Sequence, residues 1–417
     1  MPIQTIERDS NRQLKRQKEA VRLLYDSHLF VQGPPGSGKT WRGGQYVVDL
    51  LVTGKRVGVA APTHQAIHNM LKWVEDFAAE DRVSFSGLKK SSAGQDETVW
   101  TSAHITSDSN NAAFENAGDD IQLLAGTSWL FAREGMQDKL DYLFIDEAGQ
   151  ISLADALAMG QAARNVVLLG DPLQLAQVSQ GVHPEGSGAS VLEHLLGDAA
   201  TIPDTRGIFL AETRRMHPDV CEFISEVVYE GRLTPIPACS LQRIDSPGLA
   251  GTGIRYLPVD HIGNSQQSPE EAEVVAQEIE RLLQGGTYVD QEGKRKPLTP
   301  EKILVVAPYN AQVRLLRQKV PAGVQVGTVD RFQGREEPIV FFSMATSSGE
   351  DLPRNLEFLF SRNRLNVAIS RAQALAVLVA SPKLLEINCH TVDQMRLVNA
   401  LCRLVEVAEE QRRERDG

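Results

Sequence analysis

Short apolar runs alternate with longer amphipathic stretches along the first half of the chain. The amphipathic stretches predict helices near residues 40–52, 65–79 and 153–163. The apolar runs predict strands at residues 28–32, 56–61, 142–146 and 166–170. Strands that are apolar on both sides and separated by helices are typical of a parallel sheet covered on both faces.

The same alternation returns in the second half. Helices are predicted near residues 269–284 and 311–319, and apolar residues at helical spacing predict a last helix from Val392 to Ala408. Strands are predicted at residues 254–258, 303–307, 338–344 and 376–380. These patterns predict an α/β protein with two domains of similar size, residues 1–205 and 206–417, joined near the turn-rich segment 200–207.

Some polar stretches break this alternation. Residues 84–120 and 285–300 are rich in Ser, Asn, Asp, Gly and charged residues, and they predict loops or small insertions rather than core. The charged C-terminal end, EEQRRERDG, predicts a solvated or frayed tail.

Composition narrows the class of protein. The chain has 417 residues, with 54 carboxylates against 43 Lys and Arg, and a net charge of −11. This charge argues against a protein that coats nucleic acid with a basic surface, although it leaves room for a local basic groove. The apolar runs are far shorter than the ~18 residues of a membrane span. The N-terminal residues have no apolar signal core, and the four cysteines form no C-x-x-C pair. We therefore expect no membrane contact, no metal bound by thiols, and a reducing cytoplasm.

A glycine-rich motif follows the first predicted strand and precedes a predicted helix. It reads G-P-P-G-S-G-K-T and fits G-x-x-x-x-G-K-[ST], the pattern of a loop whose backbone N–H groups cradle phosphate. The alternative is an ordinary glycine-rich turn before a helix. The lysine of such a loop reaches the β- and γ-phosphates of ATP, and its Thr hydroxyl binds Mg²⁺. The motif residues are Gly33, Pro34, Pro35, Gly36, Ser37, Gly38, Lys39 and Thr40.

Such a loop needs an acidic partner at a neighbouring strand end. The run L-F-I-D-E ends the strand predicted at 142–146 and supplies Asp146 and Glu147. Asp146 would hold Mg²⁺ together with Thr40, and Glu147 would act as the general base on the attacking water. The alternative is a chance D-E pair at a strand end. Beside the phosphate loop, the pair indicates ATP hydrolysis.

Further motifs give the chain a family resemblance. Taken together, they resemble the superfamily 1 helicases of the branch that includes the nonsense-mediated-decay helicase (superfamily 1B), over residues 17–380. The closest resemblance is to the helicase half of bacterial proteins that fuse a RecB-like nuclease to such a motor. The motifs are A-P-T-H-Q-A-I at 61–67, D-E-A-G-Q at 146–150, G-D-P-L-Q-L at 170–175, R-R-M-H-P at 214–218, V-A-P-Y-N-A-Q at 306–312, G-T-V-D-R-F-Q-G-R-E at 327–336 and R-L-N-V-A-I-S-R-A at 364–372.

The resemblance implies two tandem RecA-like P-loop NTPase domains with ATP in the cleft between them. Gln174 would sense the γ-phosphate, and Arg215 and Arg371 would stabilise its developing charge as arginine fingers do. Gln17 would read adenine, or it is a surface glutamine on an N-terminal helix. Arg214 stands where the family has an aromatic residue, so base stacking would fall to a guanidinium. Glu336 completes the predicted nucleotide contacts.

The resemblance also implies a track for single-stranded nucleic acid along the strand ends of both domains. Polar groups there suit phosphate and sugar contacts without base readout; the alternative for each is an ordinary loop residue. The motif letters do not distinguish DNA from RNA. The matching residues are Pro62, Thr63, His64, Thr127, Tyr309, Asn310, Thr328 and Arg331.

Three function hypotheses follow. The first is a monomeric ATP-dependent translocase and helicase moving 5′ to 3′, with modest processivity and weak, salt-sensitive binding. The second is a nucleotide-gated clamp or regulatory ATPase that acts with a partner nuclease. The third, a small-molecule kinase, gives no role to the motifs of the second domain. Asp290, Glu292 and Lys294 resemble a nuclease set only weakly and indicate a polar hairpin. The tryptophans, Trp129 included, are predicted to pack rather than to stack on bases.

Overall fold

An eight-stranded parallel sheet forms the centre of the first of two units into which the chain divides. The computed structural model describes residues 3–175, 188–197, 199–332, 334–353 and 356–416, with side chains from residue 12 onward. The first unit contains the described residues up to Leu210, except 35–37 and 173–175, which group with the second unit.

The strands of the first sheet run in the order β4-β3-β5-β2-β6-β7-β1-β8. Because every pair is parallel, the carboxyl ends of all its strands lie at one edge of the sheet. The strands are β1 His28–Gln32, β2 Val57–Ala60, β3 Gly87–Lys90, β4 Ile105–Asp108, β5 Leu123–Gly126, β6 Leu140–Ile145, β7 Ala163–Gly170 and β8 Gly207–Phe209.

Amphipathic helices cover this sheet. The interior strands are apolar on both faces because helices shield them from water; β2 and β5, for example, are buried at every position. Apolar residues of α2 and α3, among them Tyr46, Val47 and Met70, form the core with Val57 and Phe144 of the sheet. The helices are α1 Ile3–Arg22, α2 Lys39–Val52, α3 His64–Asp81, α4 Asn111–Glu115, α5 Ser128–Phe131, α6 Leu153–Gly160 and α7 Val191–Leu196.

The second unit has its own five-stranded parallel sheet, in the order β12-β18-β17-β15-β16. A two-stranded and a three-stranded sheet accompany it. The strands are β9 Glu212–Thr213, β10 Thr234–Pro235, β11 Arg243–Asp245, β12 Gly253–Pro258, β13 Thr287–Val289, β14 Arg295–Pro297, β15 Ile303–Ala307, β16 Gln325–Thr328, β17 Glu337–Ser343 and β18 Ala372–Ala380. The helices are α8 Pro218–Val228, α9 Pro269–Leu283, α10 Asn310–Lys319, α11 Leu356–Leu359, α12 Arg362–Ile369 and α13 Val392–Asp416.

The polar stretch 84–120, predicted to be a loop or a small insertion rather than core, has regular secondary structure and a buried side. It forms β3, β4 and α4 and adds two strands to one edge of the first sheet, with Phe85, Ile105 and Phe114 buried. The alternative of a loop is wrong because a strand near a sheet edge is covered on fewer sides than a central one. Its exposed positions are polar and dilute the apolar signal.

One further polar stretch forms the predicted hairpin, and the C-terminal tail is more regular than predicted. Residues 285–300 contain an antiparallel hairpin, β13–β14, whose second strand is fully exposed and therefore polar. The charged tail continues as helix α13 to Asp416, where Arg412 pairs with Asp416 and Arg413 with Glu409, one helical turn away in each case. Among the described helices, no apolar segment is long enough to span a bilayer.

Candidate active site

The phosphate loop begins where β1 ends. The backbone N–H of Gly33 donates to the Gly170 carbonyl at 3.0 Å and ties the loop to the end of β7. Gly38 takes a left-handed conformation, with φ +76°, and lies directly before the first turn of α2. The Lys39 ammonium donates to the Gly33 carbonyl at 2.7 Å. This lysine is buried, so its positive charge is held beside the loop backbone where phosphate would bind.

A hydroxyl and a carboxylate meet beside this loop. Thr40, on the first turn of α2, donates from Oγ1 to Oδ2 of Asp146 at 3.0 Å. Asp146 follows β6 and is 2% exposed, and its Oδ1 accepts the backbone N–H of Glu147 at 2.9 Å. Burial, and next the Glu147 carboxylate, raise the pKa of Asp146 to about 7, against the opposing effects of Lys39, Thr40 and the Glu147 N–H. A buried carboxylate beside a hydroxyl suits a hard divalent cation such as Mg²⁺.

Gln17 lies in α1 and is buried, so the alternative of a surface glutamine is wrong. Its Oε1 accepts hydrogen bonds from Arg42 Nη1 at 2.7 Å and from the Tyr46 hydroxyl at 2.8 Å, both on α2. The carboxamide oxygen is therefore oriented by the helix that follows the phosphate loop. Its role in reading adenine remains a prediction.

Within the second unit, the chain around Thr213 contacts the phosphate-loop segment 35–37. The Thr213 hydroxyl donates to the Pro35 carbonyl at 2.9 Å, and the Arg214 N–H donates to the Gly36 carbonyl at 2.9 Å. Gly36 has φ +74°, and a Cβ there would lie 2.6 Å from both Arg215 Cβ and Thr213 Oγ1. Only glycine fits this position, because it needs both a left-handed backbone and a close approach.

Arg215 and Glu336 form an ion pair inside the second unit. Arg215 donates from Nε to Glu336 Oε2 and from Nη1 to the Ser370 carbonyl at 3.1 Å. Gln373 donates to the other oxygen, Glu336 Oε1, at 3.2 Å. Burial raises the pKa of Glu336, but Arg215, Gln373 and Arg371 outweigh it and hold this pKa below its ordinary value. The structure thus joins two residues that the sequence motifs place 121 positions apart.

The remaining predicted nucleotide contacts of the second unit are buried or sit beside this ion pair. Arg371 is 2% exposed and donates from Nη1 to the Arg335 carbonyl at 3.3 Å. Gln174 is buried, and the neighbouring Leu173 carbonyl accepts a hydrogen bond from Asn366 Nδ2 at 2.8 Å. Arg214 is exposed and lines a cavity of about 280 Å³ together with Glu336 and Gln373. Gln333, inside the motif at 327–336, lies outside the described residues.

The predicted track residues of the first unit follow β2 and β5, which are neighbours in the sheet. Pro62 is partly exposed, and Thr63 caps α3 by accepting the Ala66 N–H at 3.2 Å. His64 Nδ1 lies 2.8 Å from the ammonium of Lys89, a fully buried residue of β3. Burial, then Lys89, lower the pKa of His64, which favours a neutral ring whose Nδ1 accepts from Lys89. Thr127 immediately precedes α5.

In the second unit a basic cavity gathers three of the predicted track residues. Asn310, Thr328 and Arg331 line a cavity of about 270 Å³ together with Arg314 and Arg317 of α10. Arg317 donates to the Val326 carbonyl at 2.9 Å and is fixed by it. Sequence reasoning missed both α10 arginines, although Arg314 and Arg317 follow Asn310 at spacings of four and seven, the signal of one helix face. Tyr309 does not line this cavity. It is buried and stacks on Phe358, with 5.7 Å between the centroids of the two rings.

The hairpin residues Asp290, Glu292 and Lys294 are engaged in ion pairs. Lys296 pairs with Asp290, and Lys294 pairs with Glu292, each at 2.6 Å. The interpretation as a polar hairpin is confirmed.

Three of the four tryptophans pack against neighbouring rings, as predicted. Trp41 and Trp73 both contact Phe77. The ring centroid of Trp100 lies 5.2 Å from that of His68. For Trp129 the prediction is wrong, because this side chain is 85% exposed. Among the described residues, no cluster of three His, Cys, Asp or Glu side chains suits a metal ion.

Known protein families match both halves of the chain. A family model described as an AAA domain matches residues 13–186, and a second with the same description matches residues 188–383. The DNA polymerase alpha-associated DNA helicase A of Schizosaccharomyces pombe is 25% identical over 85% of this chain and 61% of its own length. The regulator of nonsense transcripts 1 homolog of Drosophila melanogaster is 25% identical over 85% of this chain and 33% of its own length.

A third relative carries a second activity in its name. The DNA replication ATP-dependent helicase/nuclease JHS1 of Arabidopsis thaliana is 25% identical over 87% of this chain and 28% of its own length. The chain therefore spans between 28% and 61% of the length of these relatives. Both units are α/β with parallel sheets, and each half matches an AAA domain. The chain is thus similar over most of its length to superfamily 1 helicases of the branch that includes the regulator of nonsense transcripts.

Proposed function

We propose that this chain is an ATP-dependent translocase and helicase on single-stranded nucleic acid, moving 5′ to 3′. The observation that carries the proposal is the Thr40–Asp146 hydrogen bond of 3.0 Å beside the Lys39 ammonium. This pairing of a hydroxyl and a buried carboxylate next to a phosphate-binding loop is the arrangement that hydrolysis of a nucleoside triphosphate requires.

The chemistry assigns a role to each group. Thr40 and Asp146 would hold Mg²⁺ through their side-chain oxygens. An Mg²⁺ ion held by these two side chains would neutralise charge on the β- and γ-phosphates. Glu147, next to Asp146, would take the proton of the attacking water. Arg215 and Arg371 are proposed to stabilise the charge that develops on the γ-phosphoryl group, and Gln174 to report its presence.

The basic cavity of the second unit supports nucleic acid as the track. Three arginines, Arg314, Arg317 and Arg331, line it in a chain whose net charge is −11. Such a local concentration of guanidinium groups binds phosphate while the rest of the surface repels it. We therefore propose weak, salt-sensitive binding confined to a narrow groove.

The finer points of the proposal rest on separate observations. The four cysteines are free thiols, which suits a reducing compartment such as the cytoplasm. From the motifs we propose domain limits of 1–205 and 206–417. We also propose that the chain acts as a monomer and that it is similar to the helicase half of bacterial RecB-like nuclease–helicase fusions. A nucleotide-gated clamp that acts with a partner nuclease is the second candidate, since one relative is named a helicase/nuclease.

The test is steady-state ATP hydrolysis by the purified chain with and without single-stranded DNA and RNA. We expect both the rate and its stimulation by a single strand to disappear in Glu147→Gln, while this variant still binds ATP. A rate that neither nucleic acid raises would contradict the proposal. The nucleic acid that stimulates more strongly would identify the preferred track.

A further inference from the structure

Trp129 is the most exposed of the four tryptophans. Its side chain is 85% exposed on α5, whereas Trp41, Trp73 and Trp100 contact other aromatic rings. The two residues that follow Trp129 anchor the segment, because Leu130 and Phe131 are buried in the core. The indole is therefore held on a fixed turn of helix and directed into solvent. Exposure alone assigns no role to a single apolar side chain, so the case for Trp129 rests on the groups that lie beside it.

The position of Trp129 in the sheet suggests what it binds. Thr127 directly follows β5 and precedes α5, so Trp129 lies three residues beyond Gly126, the carboxyl end of that strand. β5 pairs with β2 on one side, in the register Ala60 with Gly126, and with β3 on the other, in the register Ala125 with Lys89. The carboxyl ends of these three strands therefore lie side by side at one edge.

Polar and basic groups accompany the indole at this edge. Thr63 and His64 follow β2, Thr127 and Ser128 follow β5, and Lys90 ends β3. Lys90 is close to the end of β5, since a Cβ on Gly126 would lie 3.2 Å from Lys90 Cβ. Its ammonium bonds to the Ser91 and Ser109 carbonyls. Hydroxyls and a cation suit the sugar–phosphate backbone, and an exposed aromatic ring suits the face of a base.

We propose that Trp129 is a stacking platform for one base of a single strand whose backbone lies along the carboxyl edge of β3, β5 and β2. The inference rests on the proposed function and adds a base-contacting subsite to it. Because every base has a π face, such a platform does not select sequence, which a translocase requires. A protein partner is the competing occupant, since Leu157 on neighbouring α6 is also 70% exposed. The surrounding hydroxyls and lysine favour nucleic acid.

The test compares an oligothymidylate strand with a strand of the same length that carries abasic sites. Affinities are measured by fluorescence anisotropy of labelled strands for the wild type, Trp129→Ala, Trp129→Phe and Leu157→Ala. Leu157→Ala is the matched control, because it removes exposed apolar surface without removing a π face. Thermal unfolding of each variant checks that the fold is kept.

We expect the wild type to bind the normal strand about tenfold more tightly than the abasic one. Trp129→Ala should lose most of this difference, Trp129→Phe should retain part of it, and Leu157→Ala should behave as the wild type. Equal loss in Trp129→Ala and Leu157→Ala, or an unchanged preference in Trp129→Ala, would overturn the stacking proposal. A wild type that binds neither strand would instead contradict the proposed function.

Discussion

Thr40 Oγ1 donates a hydrogen bond to Asp146 Oδ2 at 3.0 Å, and so joins the first turn after the phosphate loop to the end of β6. The carboxylate is buried and also accepts the Glu147 N–H. A buried carboxylate needs such donors, since losing a hydrogen bond to a charged group costs about 1.5–3 kcal/mol. The pair thus has a structural role as well as the proposed role in binding Mg²⁺.

Thr40→Val keeps the shape of the side chain but removes its hydroxyl. We expect kcat/KM for ATP hydrolysis to fall by roughly tenfold to hundredfold, from the loss of one hydrogen bond to a charged group and one proposed metal ligand. Thr40→Ser is the matched control and should retain most of the activity. Measuring hydrolysis over a range of Mg²⁺ concentrations separates the two roles, because a lost metal ligand raises the Mg²⁺ requirement. Full activity in Thr40→Val would remove this hydroxyl from the site.

Gly36→Ala tests the contact between the phosphate loop and the chain at Thr213. The alanine would adopt a left-handed backbone and place Cβ 2.6 Å from Arg215 Cβ. We expect a loss of roughly 3 kcal/mol in stability together with weakened ATP binding. Gly54→Ala provides the control, because Gly54 has φ +73° but a Cβ added there would meet no atom within 4 Å. Gly54→Ala should lower the free energy of unfolding by about 1 kcal/mol, which is the backbone strain alone. Equal melting temperatures for the two variants would show that the close approach does not matter.

Arg314→Ala tests the basic cavity. Arg314 is exposed, lines the cavity beside Arg331, and has no ion pair among the described residues. Removing one phosphate contact should weaken single-strand binding and reduce the slope of log K against log [salt] by about 0.7. Lys319→Ala, on the same helix, is the matched control, since Lys319 pairs with Glu273 at 3.1 Å. It should leave the slope unchanged. The same slope for wild type and Arg314→Ala would exclude Arg314 from the track.

Lys89 should make the stability of the fold depend on pH. Burial, and next Lys90, lower the pKa of this lysine to about 8, whereas its ordinary value is 10.5. Between these values the unfolded chain binds more protons than the folded one, so the contribution of Lys89 to stability increases as pH rises from about 8 to 10.5. The melting temperature of the wild type should therefore rise relative to that of Lys89→Met as the pH increases across this range. A constant difference between the two melting temperatures would contradict the lowered pKa.

Sequence motifs predict those parts of this molecule in which the local chemistry allows only one type of residue at each position. The phosphate loop needs glycines and a lysine in order, so residues 33–40 could be predicted with their flanking strand and helix. Asp146 could be found for the same reason. The exposure of Trp129 could not, because an indole shortly after a strand looks the same in the sequence whether it points inward or outward. Its direction depends on how α5 packs against the sheet.

The positions of two polar residues, Lys89 and Arg314, could not be predicted from the sequence either. A lysine in a stretch rich in Ser and Asp is expected in solvent, yet Lys89 is fully buried with its ammonium bonded to the Thr98 carbonyl. Arg314 lies outside the motif letters, and only the three-dimensional path of α10 brings it beside Thr328. Burial and convergence of distant segments are properties of the tertiary structure, which local patterns do not encode.

The most direct test of a motor is the displacement of streptavidin from one end of a biotinylated single strand. Purified chain and ATP are mixed with oligonucleotides that carry biotin at the 3′ or the 5′ end, and free streptavidin is trapped as it is released. We expect ATP-dependent release from the 3′ end, little release from the 5′ end, and none with Glu147→Gln. Single-strand-stimulated hydrolysis without release from either end would contradict translocation and favour the nucleotide-gated clamp.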